Sequence, residues 1–213
     1  MAVEVEARFR ADSVDTLSDL RSRETVGPAV LGPPRTVEEV DRYLDTDDGR
    51  LADARWACRL RSREGVTRIS LKGPAEEQAD GWHHRRPELE GPATDRIQPE
   101  RWPSSAALDL LNALSGGRTL RERVRFDQER TERRVVLPSG AALGLLTLDR
   151  VRMTHGADDL GELLVVELEL DGSSADAEPQ LHALAAGLAA TPGLVPEPRS
   201  KLEHALTRLA GRT

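Results

Sequence analysis

Apolar and charged residues alternate along several separate segments of this chain. Val3, Val5, Ala7 and Phe9 interleave with Glu4, Glu6 and Arg8. Cys58 and Leu60 interleave with Arg59 and Arg61, Glu88 and Glu90 flank Leu89, and Leu168 and Leu170 interleave with Glu167 and Glu169. Residues i and i+2 of an extended strand share a side, so each segment presents one charged and one apolar face. An antiparallel sheet with one wet face shows the same alternation. Such a face usually mixes signs, because like charges at i and i+2 repel. Here acid pairs open and close the chain and basic pairs fill its middle. Strands closed into a barrel with these faces inward would gather carboxylates and guanidinium groups in one lumen, a setting for a metal ion and a polyanion together. The apolar phase would then lie outward beneath covering helices.

The punctuation predicts the remaining elements. Val3 to Arg10 reads as a strand, and Ser13 is an N-cap for a helix running to about Arg23. The turn-rich stretch GPAVLGPP leads to a strand near Thr36 to Leu44. Trp56 to Arg63 and Thr67 to Lys72 form a hairpin across Glu64-Gly65, ended by Gly73-Pro74. His83 to Glu90 is a further strand, and Pro103 to Leu114 a helix stopped by Gly116-Gly117. Arg121 to Leu137 and Ala141 to Met153 make a long hairpin turning at Pro138-Ser139-Gly140. Leu163 to Leu170 follows, ending at Asp171-Gly172. Helices near Glu178 to Ala190 and Lys201 to Leu209 close the chain, with PGLVPEP as a short connector between them.

The 213 residues fit one domain, 1–213. A composition of 38% hydrophobic and 3% aromatic residues is lean for a dry core, and a polar lumen accounts for the deficit. With 30 basic and 37 acidic residues the net charge is −7, which argues against nucleic acid as the main partner. Only two of the basic residues are lysines, Lys72 and Lys201. Cys58 is the only cysteine, so no internal disulfide and no cysteine-based zinc site can form within one chain. Glu4 and Glu6 stand where a secretory leader would need an apolar run, and no stretch is long enough to span a bilayer. These features predict a cytoplasmic protein with no membrane association. Apolar helix faces are compatible with a monomer or a homodimer.

Seven segments then match one family in order. VEVEARF resembles the E-x-E-x-K signature of the CYTH superfamily, the triphosphate tunnel metalloenzymes. DRYLDTDDGRLADARWACRLRS resembles its second-strand and third-strand region, SLKGP its lysine strand and RRPELE its Arg-x-Glu-x-Glu strand. TLDRV resembles its aspartate strand, VELEL its late Glu-x-Glu strand, and SKLEHAL its closing Ser-Lys helix. The matches run from Val3 to Leu206. The resemblance implies an α+β fold, an eight-stranded antiparallel β-barrel forming a tunnel, with flanking helices. It also implies a divalent metal, Mg²⁺ or Mn²⁺, and hydrolysis or cyclisation of a triphosphate.

Carried over by position, Glu4, Glu6, Asp149, Glu167 and Glu169 would be metal-side carboxylates, with Glu88 and Glu90 as further tunnel acids. Arg59, Arg61, Lys72, Arg125, Arg130 and Lys201 would hold phosphate oxygens. Arg130 lies in the opposite strand phase from Arg125 unless a bulge intervenes. Arg8, Lys72 and Lys201 would be the catalytic cations. Arg8 replaces the family's first-strand lysine and cannot donate a proton near neutral pH. The chemistry suits the residue types: hard cations take oxygen ligands, guanidinium forks engage phosphate in two-pronged fashion, and lysine offers a compact charge. Glu4, Glu6, Glu167 and Glu169 packed together should repel one another in the empty protein, so Glu167→Gln should cost no stability.

Other features read as structural. His83 and His84 project to opposite faces and cannot chelate one metal together. Cys58, Trp56, Trp82 and Trp102 read as packing residues, and Gly116-Gly117 lacks the G-K-[ST] of a phosphate-cradling loop. Three functions compete: hydrolysis of inorganic tripolyphosphate, a class IV-type adenylate cyclase, and a non-catalytic module binding polyphosphate. The loop from Gly73 to Trp82 is a candidate determinant of the substrate at the tunnel mouth.

Overall fold

In the computed structural model, which describes residues 2–76, 81–171 and 177–212, the alternating segments are all strands. In chain order the elements are β1 (Ala2–Ala11), α1 (Val14–Ser22), β2 (Thr25–Val26), β3 (Ala29–Leu31), β4 (Arg35–Thr46), α2 (Arg50–Asp53), β5 (Ala57–Arg63), β6 (Val66–Lys72) and β7 (His83–Pro92). After a 3₁₀ turn at Pro99–Arg101 come α3 (Ala106–Ser115), β8 (Leu120–Val136), β9 (Ala142–His155), β10 (Asp158–Leu170), α4 (Glu178–Ala189), β11 (Leu194–Pro196) and α5 (Lys201–Ala210). The stretch around Gly27-Pro28, read as turns, contains the short hairpin β2–β3. The Pro-rich connector contains β11. Gly172 of the predicted turn at Asp171-Gly172, and positions 77–80 of the loop from Gly73 to Trp82, fall outside the described residues.

Eight strands close on themselves through antiparallel pairings, in the order β8, β4, β5, β6, β7, β1, β10, β9 and back to β8. The β2–β3 hairpin extends the sheet beside β8, and β11 pairs with the end of β1. Closure removes the exposed edges that an open eight-stranded sheet would carry. At Gly144 the β9 and β10 backbones approach so closely that a Cβ would lie 1.9 Å from the Glu169 carbonyl oxygen. Only glycine admits that approach.

The outer face of the barrel is apolar, as the alternation predicts. Val5, Ala7, Phe9, Val166 and Leu168 pack with Leu17 and Leu20 of α1 and Leu181, Leu184 and Leu188 of α4. On another side, Leu44, Cys58, Leu60, Ile69 and Leu71 pack beneath α3 with Trp102. Burial pushes the Cys58 thiol up, which leaves it an inert packing residue.

The inner face departs from a uniformly charged lumen. Tyr43, Val124, Phe126, Val151, Met153, Leu163 and Val165 share a phase with the charged inward residues and form an apolar plug with Leu202, Ala205, Leu206 and Leu209 of α5. One half of the bore is therefore filled by hydrocarbon and closed by a helix, and the other half is polar. Among the described residues no helix is long and apolar enough to cross a membrane.

Candidate active site in the barrel

The inward faces of β1, β4, β5, β6, β7, β8 and β10, with the start of α5, line a polar cavity of about 200 Å³. It brings together Glu4, Glu6, Arg8, Arg59, Arg61, Lys72, Glu88, Glu90, Arg130, Glu167, Glu169 and Lys201. Arg86 also reaches it, between Glu4 at 2.6 Å and Glu6 at 3.4 Å. The RRPELE segment carried that signal, two residues before Glu88 in the same strand phase.

Arg125 does not reach the cavity. Its guanidinium lies on the outer face, paired with Asp127 at 2.7 Å, with 40% of the side chain exposed. The cause is a bulge upstream. Tyr43 faces Val124 while Leu44 faces Glu122, so the β8 backbone holds an extra residue at Arg123. Leu120 packs outward before the bulge and Val124 inward after it, so the phase inverts and Arg130, not Arg125, points into the bore.

Register explains which acids meet. Glu6 of β1 faces Glu169 of β10, and Arg8 faces Glu167. Glu4, Glu6 and Glu169 each place a carboxylate oxygen within 4.8 Å of the other two, the one such group of potential metal ligands among the described residues. Burial and the neighbouring charges of Glu4 and Glu6 push the Glu169 carboxyl up to about 7. Three converging carboxylates, one of them held short of full ionisation, form an oxygen donor set of the kind that hard cations take. The donor set fits a hard divalent cation.

The other two predicted metal carboxylates sit apart from this trio. Glu167 accepts from Lys201 at 2.7 Å and Arg8 at 3.2 Å. Asp149, fully buried, accepts from Arg130 at 2.6 Å and 2.8 Å and from Lys201 at 2.6 Å. Burial alone would raise the Glu167 carboxyl, but Lys201, Arg8 and Arg130 outweigh it and hold it well below the usual range. The expected four-way repulsion is therefore confined to Glu4, Glu6 and Glu169. Within that group, burial works against ionisation of Glu4, and Lys72 and Arg86 overcome it.

Lys201 owes its position to helix capping. The Ser200 hydroxyl accepts from the Glu203 amide at 3.2 Å, and the Glu203 carboxylate accepts from the Ser200 amide at 2.6 Å. This capping box starts α5 at Lys201. An ammonium at a helix N-terminus opposes the helix dipole, and Asp149 and Glu167 offset it.

A third acidic layer escaped sequence reading. Asp41 of β4 is fully buried and accepts both arms of Arg61 at 2.6 Å and the Gln128 amide at 2.8 Å, with Arg59 at 3.6 Å. Glu39, two residues earlier, lies 2.9 Å from Arg61 and 3.4 Å from Arg130. These acids stand behind the arginines and aim them into the cavity. Asp41→Asn is expected to cost about 3 kcal/mol in urea unfolding, because Arg61 stays buried with half its partner charge gone. A midpoint matching the parent's would count against that role.

The two adjacent histidines point to different surroundings. His83 packs against the rings of Trp82 and His182, while His84 faces the bore and its Nε2 lies 3.1 Å from the Glu197 carbonyl oxygen. Asp45, at the end of β4, accepts the amides of Thr46, Leu51 and Ala52 at 2.7, 2.9 and 3.2 Å and so forms the turn into α2.

The sequence profile of the CYTH domain matches residues 2–191. No curated protein matches the chain. HpAC1, a proposed adenylyl cyclase from Hippeastrum described as having a dominant triphosphatase activity, is 16% identical with a TM-score of 0.66, over 96% of this chain and 95% of that one. A proposed adenylate cyclase from Bacillus halodurans is 20% identical with a TM-score of 0.57, over 95% and 98%. A chain of the Schizosaccharomyces pombe Mediator head module is 11% identical, also with a TM-score of 0.57, over 90% and 97%. At these identities the likenesses establish the fold.

Proposed function

The chain belongs to the CYTH family, and from that premise we propose that it is a divalent-metal-dependent triphosphatase whose substrate is inorganic tripolyphosphate. The observation that carries this reading is the division of one small cavity into a carboxylate trio, Glu4, Glu6 and Glu169, and a basic wall of Arg59, Arg61, Arg86, Arg130, Lys72 and Lys201. A triphosphate needs both: cations along its length, and a metal where its charge is densest.

The trio would hold Mg²⁺ or Mn²⁺, which supplies Lewis-acid polarisation of a phosphoryl oxygen. The chain's own groups supply position and charge. Arg59 and Arg61, aimed by Asp41 and Glu39, offer forks to phosphate oxygens. Lys72 and Lys201 offer compact charges that exchange an internal carboxylate for a phosphate oxygen on binding. Arg8, clamped between Glu6 and Glu167, stays protonated and acts as a fixed cation between the two acid groups, not as a proton donor. The plug of α5 closes one end of the bore and limits water entry. Water adds to the terminal phosphorus and the phosphoanhydride bond breaks, giving diphosphate and orthophosphate. Charge growing on the diphosphate is stabilised by the basic wall.

Cavity size favours an inorganic substrate. About 200 Å³ lies below the range of roughly 300–1,000 Å³ typical of pockets for drug-sized ligands, and its few apolar lining residues, Tyr43, Ala57 and Leu202, offer an adenine little surface. Orthophosphate and cyclic AMP release from tripolyphosphate and from ATP, with Mg²⁺ or Mn²⁺, tests the reading in one experiment. Metal-dependent orthophosphate release, faster from tripolyphosphate, is expected. Cyclic AMP as the main product from ATP would make the protein a cyclase. Saturable binding without turnover would make it a polyphosphate-binding module. In either productive case, triphosphate with metal at about a hundred times its dissociation constant should stabilise the fold by about 2.7 kcal/mol.

A further inference from the structure

A second cavity, of about 230 Å³, shares no lining residue with the first and is lined by Arg10, Leu163, Arg199, His204, Thr207 and Arg208. Its three guanidiniums come from separate places: the end of β1, the segment before α5, and the last turn of α5. Each is anchored through part of its donor set. Arg10 reaches Glu197 through Nε at 3.3 Å, and Arg199 reaches it through Nε at 3.6 Å. Arg208 donates Nη1 to the carbonyls of Leu160 and Glu162 at 2.9 and 3.1 Å. Their other terminal nitrogens have no protein partner among the described residues.

The one acid engaging this cluster, Glu197, is buried and already shared. Its carboxylate takes the Arg199 amide at 3.1 Å and lies 2.9 Å from His204 Nε2, besides the two guanidiniums. Glu203 and Glu162, the nearby acids of α5 and β10, are occupied by the Ser200 amide at 2.6 Å and by Arg150 at 2.5 Å. With His204 neutral the cavity keeps two net positive charges, in a protein whose net charge is −7. Several guanidinium donors around a concavity of this size are matched by a small multi-oxygen anion, and forked donors suit phosphate geometry best.

We propose that this cavity is a second anion site, with a lining distinct from that of the carboxylate cavity, that binds a small phosphate-class oxyanion such as orthophosphate. Its guanidiniums themselves supply the positive charge that an oxyanion needs, so the site needs no metal. Binding there does not depend on the bore being catalytic, so its fate is independent of the reading given above.

His204 reports on the site directly. Inorganic phosphate would be titrated into the whole protein, without divalent metal, while the imidazole resonances are followed by NMR at constant pH. The His204 signal is assigned by its loss in His204→Gln. The His204 signal should move saturably with phosphate and not with chloride at matched ionic strength. Arg10→Gln and Arg199→Gln should each weaken that binding about tenfold, the loss of one charge-assisted contact, and leave tripolyphosphate hydrolysis at saturating substrate unchanged. If Arg10→Gln fails to fold, Arg199→Gln, altered at a half-exposed side chain, carries the comparison, and Arg199→Lys should bind with intermediate affinity. A His204 signal that ignores phosphate, that follows chloride equally, or that titrates identically in Arg199→Gln overturns the proposal.

Discussion

Glu169→Gln is expected to lower tripolyphosphate turnover by about a hundredfold or more while leaving the ligand-free protein more stable than the parent at pH 8. The two effects share one cause. Glu169 converges with Glu4 and Glu6 and is held short of ionisation by burial and by their charge, with a pKa of about 7 against an ordinary 4.5. Between those values the folded chain retains a proton that the unfolded chain has released. Stability therefore falls as pH rises through that window, and the full penalty is present above pH 7. An amide removes it, with a gain that is absent near pH 4 and grows to about 2 kcal/mol at pH 8 after allowance for partial exposure. The same amide removes a ligand from the metal trio, and with it the charge stabilisation that the reaction draws on. Metal affinity of the parent should also rise with pH through about 7, because the cation must displace the Glu169 proton. Glu167→Gln should do the reverse and cost about 3 kcal/mol at neutral pH, since it leaves Lys201, Arg8 and Arg130 short of one partner. Urea unfolding at pH 5 and pH 8 reads both variants. A less stable Glu169→Gln at pH 8 would mean that the trio is not repulsive and that the metal site lies elsewhere.

Alternation made the barrel legible because each of its short strands has two chemically distinct faces. Glu4, Glu6 and Arg8, Arg59 and Arg61, Lys72, Glu88, and Glu167 and Glu169 all enter the bore from the phase that the sequence indicates. Legibility failed wherever the two faces became alike or the phase broke. Leu163 to Val166 is apolar on both sides because its inner face meets the α5 plug and its outer face the core under α4, so nothing in the run marks an inside. Arg125 is expected in the bore beside Arg130, and the bulge residue that turns it outward is announced by no local pattern. Asp41 and Glu39 lay in a strand of mixed charge whose inward phase is visible only once β4 is paired with β5 and β8. The division of five carboxylates into a trio and a separate pair depends on register across β1 and β10, which is a property of pairing and not of either strand alone.

Asp149 and Lys201 should give the largest losses of stability on substitution. Asp149 is wholly buried beneath Arg130 and Lys201, and Lys201 reaches it from a helix that otherwise holds the barrel through the apolar residues of α5. Burial works against the charged form of Lys201, and Asp149 and Glu167 outweigh it. Removing either partner leaves buried charge uncompensated, which costs about 3–5 kcal/mol. Asp149→Asn and Lys201→Met should each fall in that range, measured by urea unfolding at pH 7. Removing both together should cost less than the sum, by about 1–3 kcal/mol, because the double variant no longer strands one charge against the other. Only Lys201→Met also removes a group from the cavity wall, so it should raise the dissociation constant for tripolyphosphate more than Asp149→Asn does. The cycle thus separates a buried anchor from a ligand contact. Strictly additive losses would show that α5 is held by its apolar contacts alone and that the ammonium is not coupled to Asp149.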